Sequence, residues 1–215
     1  MSQSGLGYTY GEYAYPSADP GGAHAYLLPA LLKVLGDPKH EPILDMGCGN
    51  GWVADALINR GHDVYGIDAS ASGIEVAQSR GKVGRFFRMD IGRDELPAEL
   101  AEKRFATVIS TEVIEHLYDP RAFMQLARAV LSAAPGGRLI VTTPYHGYLK
   151  DVAIAVSGKM DSHHTVLWDG GHIKFFSRRT LEQMLRQEGF NPVAFQGAGR
   201  LPYLWKSMVI TAALS

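Results

Sequence analysis

Four acidic residues recur at nearly constant intervals along the sequence. Asp45, Asp68, Asp90 and Glu112 are 23, 22 and 22 residues apart, and each stands at the end of a short apolar run. An interval of this length holds one strand, one helix and their connections, so the four side chains should meet at the carboxyl edge of a parallel sheet. Any one of them could simply cap the following helix, but four in register favour a ligand site.

A glycine-rich turn follows the first of these acids. Gly47, Gly49 and Gly51 allow the backbone to approach a ligand closely and to adopt positive φ angles. Their G-x-G-x-G spacing differs from the G-x-G-x-x-G of dinucleotide-binding dehydrogenases. Asp45 would repel a pyrophosphate and suits a ligand with a positive ammonium or sulfonium group. An NAD(P)-dependent oxidoreductase is the first alternative to that interpretation, and a non-catalytic binding module is the second.

The next two strand ends carry groups that suit an adenosine. Asp68 ends the second strand, and a carboxylate can accept hydrogen bonds from both hydroxyls of a ribose. At the end of the third strand, Asp90 can accept from an adenine amino group, and the N–H of Ile91 can donate to a ring nitrogen.

The elements that position these residues alternate between strand and helix. Apolar runs near residues 42–46, 64–67, 85–89, 105–110 and 139–142 are separated by helical stretches, among them 71–79 and 120–131. This order predicts an α/β fold, a doubly wound Rossmann-like sheet that is mostly parallel and has helices on both faces. Two final extended runs, 192–195 and 206–213, lie only about ten residues apart, too few for a helical crossover. They should form a C-terminal antiparallel hairpin.

The whole chain, residues 1–215, is expected to form one domain with two additions. One is a tyrosine-rich arm over about residues 1–22, which either folds over the ligand or lies on the surface. The other is a segment inserted on the acceptor side, about 145–176, with a helix at 148–156 followed by a polar, histidine-rich loop. The helix places Leu149, Val152, Ala153 and Val156 on one stripe, which predicts core packing. The alternative is that this helix forms a lid over an apolar acceptor, which could also be reached at a membrane surface.

Composition excludes several classes of protein. The 215 residues carry a formal net charge of −1, which argues against a strongly basic nucleic-acid binder. The single cysteine, Cys48, excludes a disulfide-stapled scaffold. No apolar run reaches the ~18 residues of a membrane span, and the first residues do not resemble a signal peptide. We therefore expect a cytoplasmic protein, a monomer or homodimer, with a small-molecule partner and no nucleic acid.

Taken together, the segments 44–51, 67–68, 89–91, 111–116 and 135–137 resemble the class I S-adenosylmethionine-dependent methyltransferases, over roughly residues 40–145. The Thr-Glu-Val-Ile-Glu-His segment at 111–116 is most similar to the ubiquinone-biosynthesis O-methyltransferase type. The resemblance implies a seven-stranded sheet with S-adenosylmethionine at its carboxyl edge. It implies that Asp45, Gly47 and Gly49 hold the methionine end, Asp68 the ribose, and Asp90 and Ile91 the adenine. The same cofactor site is expected to include Met46, Cys48, Ala69, Thr111 and Glu112.

The resemblance also raises the question of a metal. Some members bind a divalent ion through residues that correspond to Glu112, Glu115 and His116. These side chains could equally hydrogen-bond to the cofactor and to a helix start, and we predict no metal ligands.

Methyl transfer to a hydroxyl benefits from a general base, and histidine titrates near neutral pH. His116, His146 and His172 are the candidate bases, although solvent-exposed loop histidines and a helix-capping role for His116 are alternatives. The acceptor is expected to be a hydroxyl of a glycan, a lipid-linked sugar or a quinol-like compound.

Overall fold

A single seven-stranded sheet organises the chain. In this computed structural model, the described residues are 14–15, 17–19, 22–39, 41–82, 84–164, 167–168 and 170–215. Among them the strands are β1 (Ile43–Met46), β2 (Val64–Asp68), β3 (Phe86–Arg88), β4 (Thr107–Thr111), β5 (Arg138–Pro144), β6 (Phe190–Ala198) and β7 (Ser207–Leu214). Their order across the sheet is β3-β2-β1-β4-β5-β7-β6.

The first five strands are parallel to one another, whereas β7 pairs antiparallel with β5 on one side and with β6 on the other. This arrangement confirms the predicted fold class and the predicted C-terminal hairpin. It leaves the carboxyl ends of β1 to β4 side by side, which is the edge where open α/β sheets bind their ligands.

Helices cover both faces of the sheet. Among the described residues they are α1 (His24–Leu35), α2 (Trp52–Ile58), α3 (Ala71–Ser79), α4 (Ala98–Ala101), α5 (Pro120–Leu131), α6 (Tyr148–Val156), α7 (Met160–His164) and α8 (Arg178–Gln187). One core layer joins the sheet to α5 and α8, and the other joins it to α1, α2 and α3. None of the described helices has both the length and the apolar character that crossing a bilayer requires.

Local capping explains why several helices start where the sequence predicted. The hydroxyl of Ser70 accepts a hydrogen bond from the N–H of Gly73 at the start of α3. The carboxylate of Asp119 accepts from the N–H groups of Arg121 and Ala122 at the start of α5, where Pro120 occupies the first helical position. The observed bounds of α3 and α5 match the predicted ones.

The inserted segment differs from its prediction in two ways. Residues 160–164 form α7, where a polar loop was predicted. The stripe on α6 does not pack in the core: Leu149, Val152 and Val156 are 55, 41 and 84% exposed. The core-packing prediction is wrong because α6 makes its main contacts with the short helix α7 and buries only Lys150.

The N-terminal arm is described only in part. Residues 1–13, 16, 20 and 21 lie outside the described residues, and the prediction for Tyr8, Tyr10 and Tyr13 falls on them. Tyr15 is described and lies against the glycine turn, with its backbone N–H donating to Ser72 Oγ over 3.2 Å. The side-chain amide of Asn50 donates to the carbonyls of Ser17 and Asp19 and so ties this part of the arm to the turn.

Candidate active site

A cavity of about 830 Å³ opens at the carboxyl edge of the sheet. Each parallel strand from β1 to β4 is followed by lining residues: the glycine turn after β1, Asp68 and Ala69 after β2, Asp90 and Ile91 after β3, and residues 111–113 at β4. The volume lies within the ~300–1,000 Å³ of typical small-molecule and cofactor sites. The structure therefore brings together the strand ends that the spacing of the carboxylates predicted.

The backbone of the glycine turn packs closely against the side chains of Tyr15 and Val113. Gly47 and Gly49 have φ angles of +84° and +53°, which L side chains rarely adopt. A Cβ on Gly49 would lie 2.5 Å from the hydroxyl oxygen of Tyr15, and one on Gly47 would overlap the side chain of Val113. Because both of these side chains line the cavity, a larger residue in the turn would displace the wall of the site.

Asp68 is held in place by the backbone. Its Oδ2 accepts from the N–H of Gly49 and its Oδ1 from the N–H of Ser70, each over 2.8 Å. Burial raises the pKa of this carboxyl, while the two N–H donors favour its charged form. Each oxygen can accept a second hydrogen bond, so the residue fits a pair of ribose hydroxyls in the cavity.

The adenine-side candidates also reach the cavity. The Asp90 side chain is half-exposed, and its Oδ2 lies 3.6 Å from Arg93 Nη1. At the end of β4, Thr111 contributes a further polar atom: its Oγ1 is buried and has no hydrogen-bond partner among the described residues. Because buried polar atoms are normally satisfied, this hydroxyl is suited to a ligand that enters the cavity.

Asp45 and Met46 do not reach the cavity wall. Side chains alternate along β1, so Met46 points with Leu44 into the core layer of α5 and α8, and Asp45 points to the opposite layer. Burial, and then the charge of Asp68, raise the pKa of Asp45 to about 8. Its Oδ1 is buried and has no partner among the described residues. The predicted role of Asp45 at the positive methionine end stays a prediction, whereas Met46 is a core residue.

Cys48 lines the cavity and is buried. Burial, followed by the nearby carboxylates of Asp68 and Asp45, raises the pKa of its thiol well above the ordinary value. A protonated thiol is a poor nucleophile, which agrees with the role of a small residue beside the cofactor.

Glu112 has an unusual backbone and a fully engaged carboxylate. Its φ angle is +55°. Its Oε1 accepts from the hydroxyl of Thr142 over 2.9 Å, and its Oε2 from the hydroxyl of Ser207 over 3.0 Å. Burial raises the pKa of this carboxyl to about 7. Glu112 lines the cavity, and these bonds tie its carboxylate to β5 and β7.

A different trio of possible metal ligands therefore forms. Ligand atoms of Glu115, His116 and His172 lie within 4.8 Å of one another, whereas the sequence pointed to Glu112 with Glu115 and His116. Glu115 Oε2 accepts from Thr143, while its buried Oε1 has no hydrogen-bond partner among the described residues and lies 3.9 Å from His116 Nε2. These donors fit a divalent ion completed by water or substrate, and Glu112 is not part of the set.

The three candidate bases lie on the same side of the cavity but differ in their surroundings. His116 is engaged by backbone carbonyls, with Nδ1 3.2 Å from the Gly171 oxygen. The ring of His172 packs edge-on against His116 at 4.9 Å. His146 is 9% exposed, and its buried Nε2 has no hydrogen-bond partner among the described residues.

Burial and neighbouring positive groups act on His146 and His172 alike. Burial, and then Lys150 and the surrounding histidines, lower the pKa of His146 to about 4. Burial, with His116 as the next contributor, lowers the pKa of His172 to about 4. Both rings are therefore neutral at pH 7, which is the form that accepts a proton.

Sequence reasoning found only part of the acceptor side. A basic stretch over 172–206, which includes Arg200 and Lys206, predicts either contact with a phosphate-bearing acceptor or a solvated face, and nothing in the sequence indicated Lys150 or Ser207. Lys150, Arg200, Lys206 and Ser207 all line the cavity, although they are distant in sequence from the glycine turn. Lys150 stands in an apolar helical stretch, and no local pattern indicated that it faces inward. Arg200 and Lys206 lie in the connection between β6 and β7, and Ser207 begins β7, so the pairing of β7 with β5 is what brings them to the site.

The fold and cavity define a class of protein that holds an adenosyl cofactor at the carboxyl edge of a seven-stranded sheet with an antiparallel final hairpin. A family profile described as "Methyltransferase domain" matches residues 22–194. The chain belongs to this family of S-adenosylmethionine-dependent methyltransferases. That membership decides against the oxidoreductase alternative.

Among curated proteins, a ubiquinone biosynthesis O-methyltransferase of Cereibacter sphaeroides is 31% identical over 180 residues, covering 80% of this chain and 69% of that protein. The human mitochondrial protein of the same name is 33% identical over 177 residues, covering 75% of this chain and 46% of that protein. The chain thus spans about two thirds of the bacterial relative and about half of the human one.

Solved structures share the fold. An S-adenosylmethionine-dependent methyltransferase from Mesorhizobium loti superposes with a TM-score of 0.69 at 20% identity, covering 90% of this chain and 98% of that one. Magnesium protoporphyrin IX methyltransferase from Synechocystis, with bound S-adenosylhomocysteine, gives a TM-score of 0.61 at 19% identity, covering 88% of this chain and 80% of that one. The predicted fold and cofactor class are confirmed.

Proposed function

We propose that the protein transfers the methyl group of S-adenosylmethionine to a hydroxyl oxygen of a small molecule, such as a glycan, a lipid-linked sugar or a quinol-like compound. The observation that carries this proposal is that one cavity joins the strand-end carboxylates to the histidines of the inserted segment. The names of the curated relatives describe O-methyltransferases, which supports oxygen as the methylated atom.

The cofactor supplies an activated methyl group on its sulfonium, so the protein's main task is to position the acceptor. Asp68 would orient the ribose, and Asp90 with Ile91 the adenine. His146 is the preferred base because its Nε2 is buried, neutral and without a partner among the described residues, at the wall of the cavity. His116 and His172 are the alternative bases, and the carbonyl contact on His116 makes it the weaker of these.

The inserted segment about 145–176 would form the acceptor side of one methyltransferase domain over residues 1–215. In support, it contributes His146, Lys150, His163, His164 and Phe175 to the cavity. The exposed apolar side chains of α6 suit either a lid or contact with a membrane surface. A cytoplasmic location, a monomeric or homodimeric state, the lack of a nucleic-acid partner and the lack of metal ligands remain predictions.

The test is transfer of a labelled methyl group to a panel of quinols, glycans and lipid-linked sugars, followed by turnover against pH. His146→Gln should lower kcat by about 10²-fold or more and remove the acidic limb of the pH profile, as expected for loss of a general base. His62→Gln, which alters a histidine outside the cavity lining, is the matched control. An unchanged pH profile in His146→Gln eliminates His146 as the base. Binding of S-adenosylhomocysteine without transfer to any compound would favour the non-catalytic alternative.

A further inference from the structure

Lys150 is the one residue that α6 buries, while the apolar side chains of the same helix face solvent. Its Nζ donates to the carbonyl oxygen of Tyr145 over 2.7 Å and to that of Lys206 over 3.4 Å. None of the ion pairs among the described residues includes Lys150. A buried ammonium is costly unless an anion pairs with it directly. The acids whose charges act on Lys150 are Asp151 and Glu112, but neither is an ion-pair partner of this lysine among the described residues.

Charge is divided along the cavity. The cofactor end presents the carboxylates of Asp68 and Asp90, which suit the ribose and the adenine of the cofactor. The acceptor end presents three basic side chains, those of Lys150, Arg200 and Lys206. Five histidines line the same end: His116, His146, His163, His164 and His172. Glu112 is the acid that lines this end among the described residues, and both of its oxygens already accept hydrogen bonds from hydroxyl groups.

The cations of the acceptor end are available to a ligand. No ion pair of the described residues includes Arg200 or Lys206 either, and both are exposed. Lys206 Nζ lies 5.0 Å from the centre of the Tyr26 ring, a contact that leaves its charge uncompensated. Burial lowers the pKa of Lys150 to about 8, so its ammonium remains charged at neutral pH.

We infer that the methyl acceptor carries an anionic oxygen group, a phosphate or a carboxylate, which is bound by Lys150 together with Arg200 and Lys206. The inference rests on the proposed function, because it assigns this end of the cavity to the acceptor. The anion would supply the direct ion pair that the buried lysine lacks, and it would hold the reacting hydroxyl within the histidine-lined part of the cavity. An acceptor that lacks an anionic group would bind without neutralising the positive charge of Lys150.

The experiment measures the thermal unfolding midpoint of the full chain saturated with S-adenosylhomocysteine. Pyrophosphate or phthalate is added at about 10 mM, and the reference sample contains sodium chloride at the same ionic strength. An anion that binds with a millimolar Kd should raise Tm by about 3 °C. A larger effect of pyrophosphate identifies a phosphate-bearing acceptor, and a larger effect of phthalate identifies a carboxylate-bearing one.

Lys150→Met and Arg200→Gln should each lose most of this shift. Lys159→Met, which removes an exposed lysine outside the cavity lining, should keep it. If Lys150→Met fails to fold, Arg200→Gln alone decides the outcome. The inference is overturned if neither anion stabilises the wild-type protein, or if all three variants retain the full shift. Stabilisation by S-adenosylhomocysteine is measured separately, in the absence of added anions. If S-adenosylhomocysteine does not raise Tm, the proposed function is contradicted, and not this inference alone.

Discussion

Asp68 offers the sharpest test of cofactor binding, because the backbone fixes both of its carboxylate oxygens in the cavity wall. Each oxygen accepts one N–H over 2.8 Å and has room for one further donor. Asp68→Ala removes the acceptors for both ribose hydroxyls. Hydrogen bonds to a charged group contribute roughly 1.5–3 kcal/mol each. The cavity is open to water, so we take the lower part of that range and expect a loss of about 3 kcal/mol.

That loss corresponds to roughly 150-fold weaker binding of S-adenosylhomocysteine, measured by titration calorimetry. Asp63→Ala is the control. Asp63 lies just before the first residue of β2, at the opposite end of the strand from Asp68, and it pairs with Arg85 outside the cavity lining. Urea unfolding of both variants separates lost affinity from lost folding. The reasoning is refuted if a folded Asp68→Ala variant binds S-adenosylhomocysteine as tightly as the Asp63→Ala control.

Three further predictions concern the turn, a helix cap and a buried base. Gly49→Val should abolish cofactor binding in a protein that still folds, because a side chain there meets Tyr15 at a φ of +53°; retained affinity in calorimetry would disprove the close approach. Asp119→Ala should cost about 1 kcal/mol and lower Tm by ~2–4 °C, and an unchanged Tm would show that the cap contributes nothing. In His146 the lowered pKa means that the unfolded chain binds more protons between about pH 4 and 6.5, so unfolding free energy should rise with pH in that window. Urea titrations of His146→Gln should show a shallower rise, and an identical slope would contradict the burial of a neutral ring.

The cofactor side of the site could be predicted because its determinants are local. Asp68, Asp90 and Glu112 stand at or just beyond the ends of β2, β3 and β4. One strand-helix unit or its equivalent separates each from the next, so the parallel order of these strands is sufficient to bring the three to one cavity, whereas Asp45 lies within β1 and does not reach the cavity wall. The helix bounds also follow from local chemistry: Ser70 and Asp119 supply the caps that start α3 and α5.

The acceptor side could not be predicted in the same way, because its contacts are set by tertiary structure. The apolar stripe of α6 has the period of a core helix, yet the helix makes its main contacts with α7 and leaves that stripe exposed to solvent. Glu112 takes a positive φ and bonds to Thr142 and Ser207, which are 30 and 95 residues distant along the chain. The family resemblance grouped it with Glu115 and His116 and did not indicate His172 as their neighbour.

A crystal structure of the chain with S-adenosylhomocysteine tests the central claim most directly. The account predicts the ribose hydroxyls on the two oxygens of Asp68, the adenine beside Asp90 and Ile91, and the sulfur facing the end of the cavity that contains His146 and Lys150. Electron density for the ligand outside this cavity, or within it but out of reach of Asp68, would contradict the account.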